Sequence, residues 1–232
     1  MDYPYDWNEE NPQNYSNTRS TCALTVVYND GSTEYGSGFL ISDTRIATAA
    51  HVIYNGGWPN YIIITPSNRS SSPIAPYGTA MDTGNMEAGG NFVSSGDQND
   101  DWRTVELNRS FSNVGYMGIM KPGDNIVGWW IRAEGYPAPT MRLTGGNITQ
   151  ASGRYIRATN TVVPGMSGGP VLESRDYIIG IVQGYYSSGS HMVKFDDWLY
   201  NKMDLQSVKS LYCLSVNAKG ICLKIDIVFC PG

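Results

Sequence analysis

The sequence is poor in basic side chains and has no long apolar run. Its 232 residues carry 16 Lys and Arg against 21 Asp and Glu, which gives a formal net charge of −5. Nucleic-acid-binding domains are normally basic, so we expect no nucleic-acid partner. A membrane-spanning helix needs about 20 consecutive apolar residues, and no stretch approaches that length, so we expect no membrane partner. Apolar residues still make up 41% of the chain, which is typical of a globular protein.

Cysteine is scarce as well. The four cysteines are Cys22, Cys213, Cys222 and Cys230, and their spacing does not match a common zinc site. Four cysteines allow three disulfide pairings, among which the sequence does not choose, and free thiols are the alternative. Since three of them fall in the last 20 residues, a small stapled tail is one interpretation. A hairpin turning at Lys219 and Gly220 is expected there.

The N-terminal segment also lacks the pattern of a signal peptide. Residues 1–14 are polar and have neither the basic nor the apolar region of a signal peptide. The protein is therefore either intracellular, or its leader is not part of this chain. The presence of Met1 does not decide between the two.

What the sequence does contain is short apolar runs between turns rich in Gly, Pro and Asn. Many short strands with regular turn signals favour an all-β barrel or sandwich. One helix is predicted at residues 196–203, where Asp196 and Asp197 can cap an apolar face. Residues 67–100, rich in Ser, Gly and Asn, predict long loops. The predicted strands are residues 23–28, 38–41, 45–48, 61–64, 105–107, 126–131, 155–158, 170–172, 177–182 and 191–195.

The chain has two histidines, and one of them is placed for catalysis. His51 directly follows a predicted strand in Thr48-Ala49-Ala50-His51. An imidazole can accept the proton of a serine nucleophile near neutral pH, although a histidine at a strand end is often only structural. His191 falls at the start of a later predicted strand.

Ser167 lies in the glycine-rich segment of residues 165–170. A nucleophilic serine needs two N–H groups aimed at the developing oxyanion, and glycine permits the backbone dihedral angles that aim them. Gly165 and Ser167 would supply these N–H groups, whereas the structural alternative is a simple turn before a strand. The segment also fits the G-x-S-x-G motif of α/β-hydrolases. That fold needs a helix directly after the serine, but a strand is predicted at Pro170.

The third candidate is an acid that could orient the imidazole. Asp101 stands directly before the alternating segment of residues 102–107, whose apolar side chains set the phase of the strand. Asp100 is the neighbouring alternative. His51, Asp101 and Ser167 follow one another in the chain order of the chymotrypsin-type triad.

At these residues the sequence resembles trypsin-like serine peptidases. Residues 36–41 and 47–51 are similar to the histidine box of that family, and residues 165–171 are similar to its serine box. Over residues 20–203 the sequence resembles the bacterial glutamyl-endopeptidase branch, through residues 101–107, 113–116 and the Gly-Tyr-Pro segment 135–137.

The resemblance implies two six-stranded antiparallel β-barrels with the triad in the cleft between them, followed here by a C-terminal helix and a short cysteine-containing tail. We expect residues 1–112 to form an N-terminal arm and the first barrel, residues 113–204 the second barrel and the helix, and residues 205–232 an extension. The resemblance also implies an extracellular monomer that cleaves polypeptide substrates through an acyl-enzyme, with no metal or organic cofactor.

The sequence departs from that branch at the substrate pocket. Val182 stands where the glutamate-binding histidine would be, and Val162 and Val163 replace a polar pocket residue. Burying a carboxylate against apolar walls is costly, so we expect the pocket to accept an uncharged side chain. Met166 excludes activation through a salt bridge to the residue before the serine. The expected pocket residues are Val162, Val163, Ile181, Val182, Gln183, Gly184 and His191.

Two other functions are compatible with this fold. A catalytically silent relative could act as a binding protein, but such relatives usually lose a triad residue and none is missing here. An esterase or other acyl hydrolase would use the same three residues, because one scaffold can serve several reactions.

Overall fold

The computed structural model describes residues 6–9, 18–69, 74–88, 90–137 and 140–204, with the backbone alone at residues 6–9, 87, 88, 90 and 204. Within these ranges the chain is almost entirely β. The strands are β1 (Asp6–Glu9), β2 (Thr21–Val27), β3 (Thr33–Ser42), β4 (Arg45–Thr48), β5 (Tyr61–Pro66), β6 (Ala80–Ala88), β7 (Arg103–Leu107), β8 (Trp130–Gly135), β9 (Met141–Ser152), β10 (Tyr155–Ala158), β11 (Pro170–Glu173), β12 (Ile178–Tyr186) and β13 (Gly189–Lys194). The helices are α1 (Ala50–Ile53), α2 (Gly90–Ser95), a 3-10 turn (Gln98–Asp100) and α3 (Asp197–Asp204).

Six strands close the first barrel in the order β2-β3-β4-β7-β6-β5, and all neighbouring pairs are antiparallel. Buried and half-buried residues alternate along β5, as the pleat of a strand requires when one face lines a core. The β-branched and leucine side chains of β2 and β5 fill the interior; they include Leu24, Val26, Ile62 and Ile64.

The second barrel contains β8, β9, β10, β13, β12 and β11, and it closes because β9 pairs with both β8 and β10. The strand β1, from the N-terminal arm, adds to β9 at residues 141–144. The expectation of an all-β chain with two six-stranded antiparallel barrels is therefore confirmed.

The structure corrects the sequence reading at three strands. Residues 126–131 were expected as a strand, but β8 begins only at Trp130. Neither β6 nor β9 was predicted. In β9, an added Cβ at Gly145 would come within 2.7 Å of the Trp130 ring, and one at Gly146 within 2.4 Å of the Asn160 backbone. The close approach of neighbouring chain segments requires glycine there, and glycine hides the strand pattern in the sequence.

The predicted C-terminal helix is present as α3. The Asp196 carboxylate accepts a hydrogen bond from the N–H of Leu199 at 2.8 Å, which is the arrangement of an N-cap. Leu199 and Met203 are buried. The tail, with its expected hairpin and three of the cysteines, lies outside the described residues. Cys22 is a buried free thiol in β2, and in the described ranges no helix has the length and apolar character to cross a membrane.

Candidate active site

His51 is held at the rim of the first barrel by small, buried residues before it. β4 ends at Thr48, whose hydroxyl donates to the carbonyl of Ser37 at 2.6 Å. Ala49 and Ala50 are fully buried. The chain then turns into α1, which leaves the His51 side chain 37% exposed. Its backbone is thus fixed by the barrel while its ring faces outward.

Asp101 contacts His51 through both carboxylate oxygens. Oδ1 accepts the backbone N–H of His51 at 2.9 Å, and Oδ2 lies 2.7 Å from Nδ1 of the ring. The Asp101 side chain is 1% exposed. Because a buried carboxylate accepts at Nδ1, the proton of a neutral imidazole resides on Nδ1 and leaves Nε2 as an acceptor. No hydrogen bond to Nε2 is found within the described part of the chain.

Asp100, the alternative acid, points elsewhere. Its carboxylate accepts a hydrogen bond from the guanidinium of Arg154. The 3-10 turn before Asp101 is capped by Asp97, whose side chain accepts the N–H of Asn99 at 3.0 Å. Neighbouring aspartates thus face different partners, and it is Asp101 that meets His51.

The segment around Ser167 carries the N–H groups of Gly165 and Ser167. Gly165 has φ +94°, and a Cβ there would lie 2.7 Å from the carbonyl oxygen of Tyr136, so only glycine fits this conformation. Ser37 fixes the loop: its hydroxyl donates to the Gly165 carbonyl at 2.7 Å and accepts the Tyr136 N–H at 2.8 Å. Neither the Gly165 nor the Ser167 N–H is hydrogen-bonded to the described residues. Two such donors can stabilise an oxyanion.

Gln183 contacts both Ser167 and Asp101. Ser167 Oγ donates to the Gln183 carbonyl at 2.7 Å. The Gln183 Nε2 donates to the Gln98 carbonyl at 2.5 Å and lies 3.5 Å from Asp101 Oδ2. In this structure the Ser167 hydroxyl is therefore bonded to Gln183, and the described residues show no hydrogen bond between Ser167 and His51.

The other side of the serine segment lies against the histidine strand. A Cβ at Gly168 would come within 2.1 Å of Thr48 Oγ1 and 3.0 Å of the Ala49 nitrogen, and Ser37 N donates to the Ser167 carbonyl at 2.8 Å. The backbones that carry Ser167 and His51 are thus in direct contact.

The residues expected to form the pocket differ in how deeply they are buried. Val162 and Val182 are buried in one apolar cluster of the second barrel together with Met166 and Met192. Ile181 belongs to the other main cluster, Val163 is half-buried and Gln183 is 5% exposed. Around Gly184, by contrast, an added Cβ would meet no atom within 4 Å. Four of the expected pocket residues, Val162, Ile181, Val182 and Gln183, are therefore buried, whereas the space beside Gly184 is open.

His191 lies apart from these valines. It alternates along β13 with buried Ser190 and Met192, so it faces the outside of the barrel. Its Nε2 is 3.1 Å from the Tyr155 hydroxyl, and its ring stacks on Tyr186 at 4.3 Å. Burial and the neighbouring positive charge of Arg157 lower the pKa of His191.

The sequence did not predict the role of three residues that support the site. Ser37 stands between the glycines of the histidine box, but that pattern gives no hint that it holds the Gly165 loop. Gln183 was expected only as a pocket wall. Arg154, in the turn between β9 and β10, has no local signal at all, because its partners Asp100 and Asp196 are distant in the chain. No group of three or more His, Cys, Asp or Glu side chains among the described residues could hold a metal ion.

Several known proteins are similar to this chain. A family model described as a trypsin-like peptidase domain matches residues 36–181. The chain is 31% identical to an extracellular metalloprotease of Bacillus subtilis over 162 residues, which are 66% of this chain and 51% of that protein. It is 28% identical to a glutamyl endopeptidase of Bacillus licheniformis over 166 residues, 68% of this chain and 51% of that protein. The chain thus spans about half the length of these curated relatives.

Solved structures show the same fold. A Glu endopeptidase structure superposes with a TM-score of 0.74 at 19% identity, covering 89% of this chain and 98% of that one. The protease Anisep from Arthrobacter nicotinovorans gives a TM-score of 0.69 at 19% identity, covering 87% of this chain and 100% of that one. The family match covers more than half of the sequence, so this chain belongs to the trypsin-like peptidase family.

Proposed function

We propose that this protein is a serine endopeptidase, with His51, Asp101 and Ser167 as its catalytic triad. The observation that carries the proposal is the pairing of His51 Nδ1 with the buried Asp101 carboxylate at 2.7 Å. That pairing leaves Nε2 available as a base. Among the described residues, none accepts a hydrogen bond from the N–H groups of Gly165 and Ser167. The name of the glutamyl endopeptidase relative supports an endopeptidase, and the name of the other relative supports the hydrolysis of proteins.

The proposed reaction begins with a rotation of the Ser167 side chain from the Gln183 carbonyl toward His51. Side-chain rotations of this kind take picoseconds to nanoseconds at exposed sites. His51 Nε2 takes the hydroxyl proton while Oγ forms a bond to the scissile carbonyl carbon, and the N–H groups of Gly165 and Ser167 hold the oxyanion. His51 then donates the proton to the leaving amine as the C–N bond breaks.

Water completes the cycle. His51 takes a proton from water, the resulting oxygen nucleophile attacks the acyl carbon, and the ester bond to Ser167 breaks as Oγ regains the proton. Asp101 holds the ring of His51 and stabilises its charged form during both steps. These steps need no cofactor.

The cleavage preference we propose is for an uncharged or apolar side chain directly before the scissile bond. Val162 and Val182 are apolar and buried, and a carboxylate placed against them would lose hydration without compensation. We further propose that the site lies between a first domain of residues 1–112 and a second of residues 113–204, and that the enzyme acts outside the cell as a monomer.

The test is labelling with a fluorophosphonate that reacts with activated serines. Wild type is expected to be labelled, Ser167→Ala unlabelled, and Ser32→Ala, which removes an exposed turn hydroxyl, labelled like wild type. Digestion of a peptide library should then show internal cleavage by wild type alone. A folded wild type that is neither labelled nor active would refute the proposal and favour a binding protein. Labelling with hydrolysis of esters but not peptides would favour an acyl hydrolase.

A further inference from the structure

The strand β12 has an open edge that begins at the proposed nucleophile. Its last hydrogen bonds on the β11 side join Val182 to Gly168 and Gly169. The next residue, Gln183, offers its carbonyl to Ser167. Beyond it, residues 184–186 pair only with β13 among the described strands. An extended polypeptide can add to such an edge as an antiparallel strand.

The pairing between β12 and β13 is irregular next to Gln183. The pairing register with β13 shifts between Val182 and Gly184, and after the shift Gly184 lies opposite His191. Directly opposite residues of antiparallel strands share one face of the sheet. Gly184 and Tyr186 therefore share the outward surface with His191, and the space above Gly184 is open to at least 4 Å.

Arg157 lies beside β13 and shares its outward face with His191. It lies opposite His191 on β10, and its Cγ is 3.5 Å from the Cβ position of Gly189. Because Gly189 has no side chain, the stem of Arg157 can pass over β13 at the point where Gly189 faces Tyr186. The stem of Arg157 therefore lies next to the residue that pairs with Tyr186 at the end of β12.

The positive charge of Arg157 has no acidic partner among the described residues. Within that part of the chain its Nε is buried without a hydrogen-bond partner, and no ion pair involves Arg157. The residues that face it and its neighbour Tyr155 from β9 are Gln150 and Ser152, which carry no charge. The chain as a whole has a net charge of −5, so this cationic surface contrasts with the rest of the molecule.

We propose that this surface, formed by Arg157, Tyr186, His191 and the gap above Gly184, binds a carboxylate side chain at the fourth residue before the scissile bond. The inference rests on the proposed peptidase function. With the residue before the scissile bond opposite Gln183, an antiparallel substrate places its fourth residue opposite Tyr186, on the same outward face. Its carboxylate accepts charge-assisted hydrogen bonds from Arg157, and the Tyr186 ring lies beside its stem.

The test uses a peptide cleaved at one bond, chosen from the library digestion, in three forms. The forms have Glu, Gln or Lys at the fourth residue before that bond and are otherwise identical. Wild type is expected to favour Glu over Gln by about three- to tenfold in kcat/KM, mainly through KM, as a partly exposed charge contact allows. The preference should shrink between 50 and 500 mM salt, since such contacts are screened.

Variants of Arg157 then assign the preference to this surface. Arg157→Gln should bring the Glu to Gln ratio to about one, and Arg157→Glu should favour Lys. Arg109→Gln removes the same charge from an exposed site of the first barrel and should leave the ratio as in wild type.

Three outcomes would overturn the inference. Equal rates for Glu and Gln, in a wild type that is labelled at Ser167 and cleaves the Gln peptide, would overturn the subsite but leave the peptidase function intact. A preference that persists in Arg157→Gln, or that occurs at a different position of the peptide, would also overturn it. A folded wild type without labelling or cleavage would overturn both proposals.

Discussion

Replacing Arg154 by Gln should lower both the free energy of unfolding and the kcat of the proposed catalytic site. The Arg154 guanidinium binds Asp100, bonds to Asp196 Oδ2 at 2.6 Å, and lies 4.8 Å from the centre of the Trp198 ring. It therefore ties the loop before Asp101 to the second barrel and to α3. Asp100 is the important partner, because it directly precedes Asp101 in the chain.

The magnitude follows from the exposure of the partners. The side chains of Arg154 and Asp100 are 19% and 11% exposed, whereas that of Asp196 is 37% exposed. Removing one partner of a fully buried ion pair costs about 3–5 kcal/mol, and an exposed pair contributes about 0.2–1 kcal/mol. For this largely buried pair we expect a loss of about 2–4 kcal/mol in the free energy of unfolding. Because a displacement of about 1 Å can cost about 100-fold in rate, kcat should fall by about 10- to 100-fold.

Urea unfolding and steady-state kinetics of a double-mutant cycle check this reasoning. Asp100→Asn in the Arg154→Gln background removes the unpaired carboxylate and should recover about 1–3 kcal/mol relative to additive effects. Arg109→Gln is the control for loss of a positive charge. Strictly additive effects of the two substitutions, or an unchanged kcat in Arg154→Gln, would show that Arg154 does not hold this loop.

Three further predictions concern single residues. Gly165→Ala should abolish labelling by the fluorophosphonate and destabilise the fold by about 1–3 kcal/mol, since its φ of +94° strains any residue with a Cβ; labelling at the wild-type rate would contradict this. Burial raises the pKa of the Cys22 thiol, so iodoacetamide at pH 8 should modify Cys22 only after unfolding. The measurement uses a variant in which the three other cysteines are replaced by serine, and rapid reaction in the native state would argue against the burial of Cys22. The pKa of His191 is lowered in the folded protein, so the unfolded chain binds a proton at this imidazole more tightly than the folded protein does. The stability that comes from the neutral His191 is therefore fully present above the unfolded pKa of about 6.5, and it is lost as the pH falls through the lower folded pKa. Urea unfolding between pH 5 and 8 should show a smaller loss on acidification in His191→Gln than in wild type, and equal losses would refute the assignment.

Local sequence patterns carried much of the fold. Strands such as β2 and β10 were predictable because one face of each strand lines a core, so that buried and half-buried residues alternate. β9 was not predictable, since Gly145 and Gly146 are required by neighbouring segments that the sequence does not place beside them. β6 was not predictable either, because polar residues interrupt its apolar pattern and because its pairing register with β7 shifts between Asp82 and Met86.

By itself, the sequence determined that small residues at the end of a predicted strand precede His51 and that Ser167 stands in a glycine-rich segment, because both features depend on adjacent residues. Only the tertiary structure decided that Asp101, and not Asp100, contacts His51, and that the Ser167 hydroxyl is bonded to Gln183. It also decided that His191 faces outward, away from Val162 and Val182. These contacts join residues on different strands, and their partners are selected by the closure and register of the two barrels, which no local pattern records.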